Sequence, residues 1–279
     1  MDRLSPAHES LGTRNDLCVR LARSGQEIAT AQELRFNVFY EELKANPDAA
    51  SLQSRRDADR FDAFCDHLIV VRRMAKVEAG QFGVDDGEMV GTYRLLRQST
   101  AERNGGFYTQ SEFDVAPLLA AKSALKFLEL GRSCVLKQYR TKPVVELLWQ
   151  GIWNYVRHHG LDVMLGCASL EGIDHRVHAP TLNFLARNSA APPEWRVRAV
   201  PHRYVEMKSD AANFTDAKAA LKALPPLIKG YLRLGCYIGE GAVIDRQFNT
   251  TDVLIILPVS NINPRYFAHF GQPDEAITY

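Results

Sequence analysis

The stretch Phe127-Leu128-Glu129-Leu130-Gly131-Arg132-Ser133-Cys134-Val135 places a carboxylate, a glycine and a guanidinium inside an apolar run that reads as a buried strand. Charges in such a place are costly unless they are paired or used. In a regular strand residues three apart point to opposite faces, but a bulge at Gly131 would turn Glu129 and Arg132 to one side and free backbone N–H groups. The use this pattern suggests is catalysis at a strand opening, with the following turn and helix N-terminus receiving a phosphate. Glu129 would be the proton-accepting group of such a site. The competing use is a buried Glu–Arg pair that only joins strands.

Other residues have chemistry to offer around this strand. Arg35 and Phe39 lie one helical turn apart, and Asp59 and Asp62 punctuate a polar stretch, suited to an acceptor's ammonium or to capping a turn. Arg94 ends an apolar strand, where it could pair with Glu129 or fork onto a carboxylate. Lys137, Arg140 and Lys142 form a basic turn ahead of a helix that starts near Pro143. That turn is basic and not glycine-rich, so it could receive a phosphate through charge. A solvated charged turn is the plain alternative. Cys134 beside this stretch also offers a thiol as a candidate nucleophile.

The elements that must position these residues follow from periodicity. Strands are expected at Leu17–Leu21, His67–Val71, Glu88–Leu96, 127–135, Leu161–Ala168, Cys236–Ile244 and Asp252–Leu257. Helices are expected at about 25–43, 113–124 and 144–158, and Asp85-Asp86-Gly87 reads as a hairpin turn. Residues 1–16 read as a disordered leader and 17–279 as one mixed α/β domain. The 279 residues carry 46% hydrophobic and 24% charged residues and a net charge of +1, so nothing global calls for nucleic acid. Five scattered cysteines with no CxxC pair predict neither a zinc site nor a disulfide framework, and no other metal site is expected. No apolar run is long enough to span a membrane, so a cytoplasmic protein is expected.

The element order, with a basic turn between a central strand and its helix, resembles the GCN5-related N-acetyltransferase fold. The resemblance implies a single mixed-sheet acyltransferase domain whose splayed central strands admit a pantetheine arm. Arg35-Phe36-Asn37-Val38-Phe39-Tyr40, Asp59-Arg60-Phe61-Asp62, Gly91-Thr92-Tyr93-Arg94 and Glu129-Leu130-Gly131-Arg132 are similar, in this order, to motifs of acyl-homoserine-lactone autoinducer synthases and ornithine acyltransferases. The likeness is nearest to the ornithine N-alpha-acyltransferases, through Asp59–Val70, Leu130–Val135, Leu147–Ile152, Pro225–Asp245 and Arg265–Phe270. No tryptophan lies between Phe39 and Asp59, a departure from the autoinducer-synthase pattern.

The resemblance implies transfer of a 3-hydroxyacyl chain from acyl carrier protein to the α-amine of ornithine, giving lyso-ornithine lipid. Glu129, Arg132 and Arg94 would be catalytic, and Arg35, Phe39, Asp59 and Asp62 would bind the acceptor. Lys137, Arg140 and Lys142 would meet the carrier. No cofactor of the enzyme's own is implied, the phosphopantetheine arriving with the donor. A single-chain lipid product implies transient contact with the inner membrane surface, to which Tyr266, Phe267 and Phe270 could contribute. Three alternatives stay open: an autoinducer synthase, an N-acyl amino acid synthase with another acceptor, and a non-catalytic carrier-protein-binding module.

Overall fold

A computed structural model describes residues 10–78, 80–208 and 217–263, so Tyr266, Phe267 and Phe270 lie outside the described residues. The chain divides into two compact units, one of residues 1–96 and 130–160 and the other of 97–129 and 161–279. Among the described residues ten strands follow in order: β1 (Gly12–Arg14), β2 (Leu17–Leu21), β3 (Asp66–Arg73), β4 (Gly83–Val84), β5 (Gly87–Arg97), β6 (Phe127–Val135), β7 (Val163–Glu171), β8 (Tyr204–Val205), β9 (Tyr237–Asp245) and β10 (Thr250–Pro258). Among the described residues no helix is long and apolar enough to cross a membrane.

In the first unit β1, β2, β3 and β5 pair antiparallel in that sequence, and β4 closes a two-residue hairpin on β5 through Asp85 and Asp86. The stretch expected as a leader thus contributes β1, while residues 1–9 lie outside the described residues. The Gly25–Phe36 helix starts on a Ser24 cap that accepts from the Glu27 N–H. It continues as a π-helical turn over Asn37–Glu42, which changes the spacing of the residues that follow.

The Lys142–His159 helix carries Pro143 in its first turn, where the missing N–H costs nothing, and ends on the left-handed Gly160. Its buried face includes Leu147, Leu148, Gly151, Ile152 and Tyr155. Gly151 is required there, because a Cβ would come within 2.6 Å of Val19 Cγ2 and 3.1 Å of Leu68 Cδ1.

In the second unit β7 pairs antiparallel with β10 along nine residue pairs, and β10 with β9 and β9 with β8 in turn. β10 is covered on both edges, as its Val253–Leu257 run requires. Phe127–Glu129 of β6 pairs parallel with Val163–Leu165 of β7 for three residue pairs. The helix expected over 113–124 is shorter, Ala116–Ala121, with a 3-10 turn at Tyr108–Ser111 before it.

Candidate active site

In the first unit, five expected site residues, Arg35, Asp59, Asp62, Arg94 and Arg132, meet in one ionic network with a sixth that sequence reasoning missed, Asp57. Arg35, on the last turn of its helix, is 1% exposed; its Nη1 and Nη2 bond Asp62 at 2.9 and 2.8 Å, and its Nε lies 2.9 Å from Asp57 Oδ2. Arg94, on β5, reaches Asp59 at 2.7 Å and Asp62 at 3.2 Å through Nη1. Arg132 bonds Asp57 and Asp59, each at 3.1 Å. Three guanidinium groups therefore face three carboxylates, and the charges balance.

The local structure presents these acids without help from the arginines. Asp59 caps the Arg60–Ala63 turn by accepting from Phe61 N–H, and Asp62 accepts from Asp59 N–H in the reciprocal capping box. Burial opposes ionisation of Asp62, but Arg35 and Arg94 outweigh it and hold the carboxyl well below the usual range. Tyr40 Oη donates to Asp57. Buried His67 lies with Nε2 3.1 Å from the Asp62 carbonyl, and burial lowers its basicity.

Phe39, in the π-helical turn, packs against the buried cluster of Ala31, Leu34, Val38 and Met89. The expected distortion of β6 is present one residue later than Gly131: Arg132 itself takes a left-handed φ of 52°, a conformation held here by its two carboxylate partners. Cys134 is buried, and burial pushes its thiol far up, away from thiolate chemistry.

The basic turn is on the surface. Lys137 and Lys142 are exposed, and Arg140 forks onto Glu42 at 2.6 and 2.8 Å. Thr141, at the start of the following helix, makes no side-chain cap. Lys142 lies 3.4 Å from Glu146, a pair too exposed to fix its position.

Glu129 belongs to the second unit. Its carboxylate is buried and accepts the N–H of Thr109 at 2.7 Å and of Tyr108 at 3.1 Å, so it anchors the Tyr108–Ser111 turn. The same unit holds a group that sequence reasoning did not find. Glu112, Asp245 and Asp252 are 1%, 6% and 5% exposed, and each offers an oxygen within 4.8 Å of the others. Such an all-oxygen set could hold a hard cation. Burial, then the charge of Glu112, pushes Asp252 up to about 7, and the same two causes raise Cys167.

The acyltransferase class is given by residues 34–150, which match the family model of the acetyltransferase (GNAT) domain, together with the relatives that follow. The L-ornithine N(alpha)-acyltransferase of Agrobacterium fabrum is 48% identical over 95% of this chain and 89% of its own length. That of Brucella abortus is 50% identical over 94% and 91%, and that of Rhodobacter capsulatus 38% identical over 89% and 92%. The chain belongs to the L-ornithine N(alpha)-acyltransferase family.

Proposed function

We propose that this chain transfers a 3-hydroxyacyl group from the thioester of an acyl carrier protein to the α-amine of L-ornithine, giving lyso-ornithine lipid. The observation that carries the acceptor is the 48% identity, over 95% of the chain, to a protein named for that acyl transfer. The neutral α-amine attacks the thioester carbon, the C–N bond forms and the C–S bond breaks. The amine's proton passes to Glu129, and the carrier thiolate leaves and is protonated from solvent. Tyr108 and Thr109 hold the Glu129 carboxylate in place for this step.

The donor reading is supported by the exposed Lys137, Arg140 and Lys142, which suit an acidic carrier, and by the uncapped helix start beside them. The enzyme then needs no cofactor of its own. In the network of the first unit Arg94, Arg132 and Arg35 act by position, holding Asp57, Asp59 and Asp62 and fixing the distorted β6. A single-chain lipid product calls for brief contact with the inner membrane surface.

The test follows free carrier thiol with purified protein, 3-hydroxyacyl-carrier protein and ornithine, lysine, glycine or S-adenosylmethionine, with mass spectrometry of products. Turnover with ornithine alone supports the reading. Turnover with another amine keeps the acyl transfer and removes ornithine, and carrier binding without thiol release leaves only a binding module. A Glu129→Gln variant with full activity at every pH would remove the base.

A further inference from the structure

Ornithine differs from most α-amino acids by a second ammonium that the acyl transfer does not consume, and an enzyme selective for it needs a negative group to receive that charge. Asp59 and Asp62 do not supply one, because Arg35, Arg94 and Arg132 already neutralise them together with Asp57. The second unit brings three further buried acids together, Glu112, Asp245 and Asp252, with the Arg203 guanidinium 3.3 Å from Glu112.

The register of the strands shows where this triad stands. Glu129 pairs with Leu165, and Asp252 with Ser169, so alternation puts both acids on the face of β7 that carries Leu165, Cys167 and Ser169. Thr109, whose N–H holds Glu129, has its hydroxyl 4.0 Å from Cys167 Sγ. That face opens toward its far end: Cys167 is half-buried and Ser169, directly across from Asp252, is exposed. A solute can therefore reach the strands at the edge of the triad.

The triad is also incomplete as it stands. Asp252 is 5% exposed, yet its Oδ1 has no hydrogen-bond partner. A buried carboxylate oxygen is seldom left so, and each such atom calls for a missing donor. Asp245 commits its Oδ1 to the N–H groups of Gln247 and Phe248, which leaves its other oxygen to serve the cluster. Three acceptors each about 2.8 Å from one ammonium nitrogen lie about 4.6 Å apart, inside the 4.8 Å within which the three carboxylates here offer their oxygens.

We propose that Glu112, Asp245 and Asp252 form the subsite that receives the side-chain ammonium of the diamino-acid acceptor, an inference that rests on the acyl-transfer reading above. The triad would then set acceptor choice on the same sheet face as Glu129, with the three N–H donors of the ammonium each meeting one carboxylate. Acceptors of the same carbon skeleton but no second ammonium would leave buried carboxylates unpaired, which is how polar sites discriminate strongly.

The test compares ornithine with norvaline, which has the same skeleton without the ammonium, in the full chain and in its Asp252→Asn and Glu112→Gln variants. The expected result is that each variant lowers the ornithine-to-norvaline ratio of kcat/KM by roughly 30-fold or more, chiefly through the KM for ornithine. A ratio unchanged in both variants overturns the inference. Calorimetry without donor, using ornithine, norvaline and calcium or magnesium chloride, separates the inference from the reaction. Ornithine binding that is weakened by Asp252→Asn supports the subsite even if no acyl transfer is seen. Stoichiometric binding of either metal that Asp252→Asn abolishes, with the ornithine preference intact, overturns it in favour of a metal site.

Discussion

Replacing Asp252 with asparagine should make the protein more stable at pH 8 and change it little near pH 4. An ordinary aspartate titrates near 3.8, whereas burial and the neighbouring Glu112 push Asp252 up to about 7. Between these values the folded chain keeps a proton that the unfolded chain has released, so wild-type stability falls as pH rises through that window. Three powers of ten in proton affinity correspond to about 4 kcal/mol, a ceiling for the effect. The buried cluster relaxes around the lost charge, so a smaller gain of about 1–3 kcal/mol at pH 8 is expected. Arg203 and Cys167 face the same cluster and are unchanged by the substitution. Urea unfolding followed by tryptophan fluorescence, at steps from pH 4 to pH 8, measures the gap between variant and wild type. A gap that stays constant across the range, or a variant less stable at pH 8, would refute the argument. The expected pairing of greater stability with poorer ornithine selectivity would mark Asp252 as a residue kept against the stability of the fold.

Three further outcomes are expected. Arg35→Met leaves Asp57 and Asp62 buried with too little positive charge, and should cost about 3–5 kcal/mol, read as a large fall in the urea midpoint. Gly151→Ala forces the Lys142–His159 helix off Val19 and Leu68 and should cost about 1–3 kcal/mol, with a matching drop in Tm. Reversing the exposed Lys137 and Lys142 to glutamate should raise the KM for acyl carrier protein by about 10-fold and flatten its salt dependence, while kcat is kept.

Much of the scaffold was legible because apolar runs and their punctuation are local. The Phe127–Val135 strand, the helix behind Pro143 and the covered β10 all follow from such runs. The motif residues Arg35, Asp59, Asp62, Arg94 and Arg132 were legible as reactive types, but their mutual neutralisation was not, since it depends on contacts between distant segments. Asp57 could have been found from its place two residues before Asp59 in an acid-rich stretch. Nothing in the helical pattern marked the π-helical turn at Asn37–Glu42 that carries Phe39. The triad left no local signal: Glu112 sits at the end of a polar turn, Asp245 at a hairpin, and Asp252 at the head of an apolar run where it resembles a turn residue.

Neither compact unit is a continuous piece of chain. The first cannot be finished until residue 160 has been made, and by then residues 97–129, which belong to the second, have already emerged. During synthesis that early segment must wait, with Phe113, Phe127 and Leu128 uncovered, for partners that lie beyond Leu161. No single cut of the polypeptide between residues 97 and 160 would release either unit whole, so truncated forms should expose apolar surface rather than yield a working half.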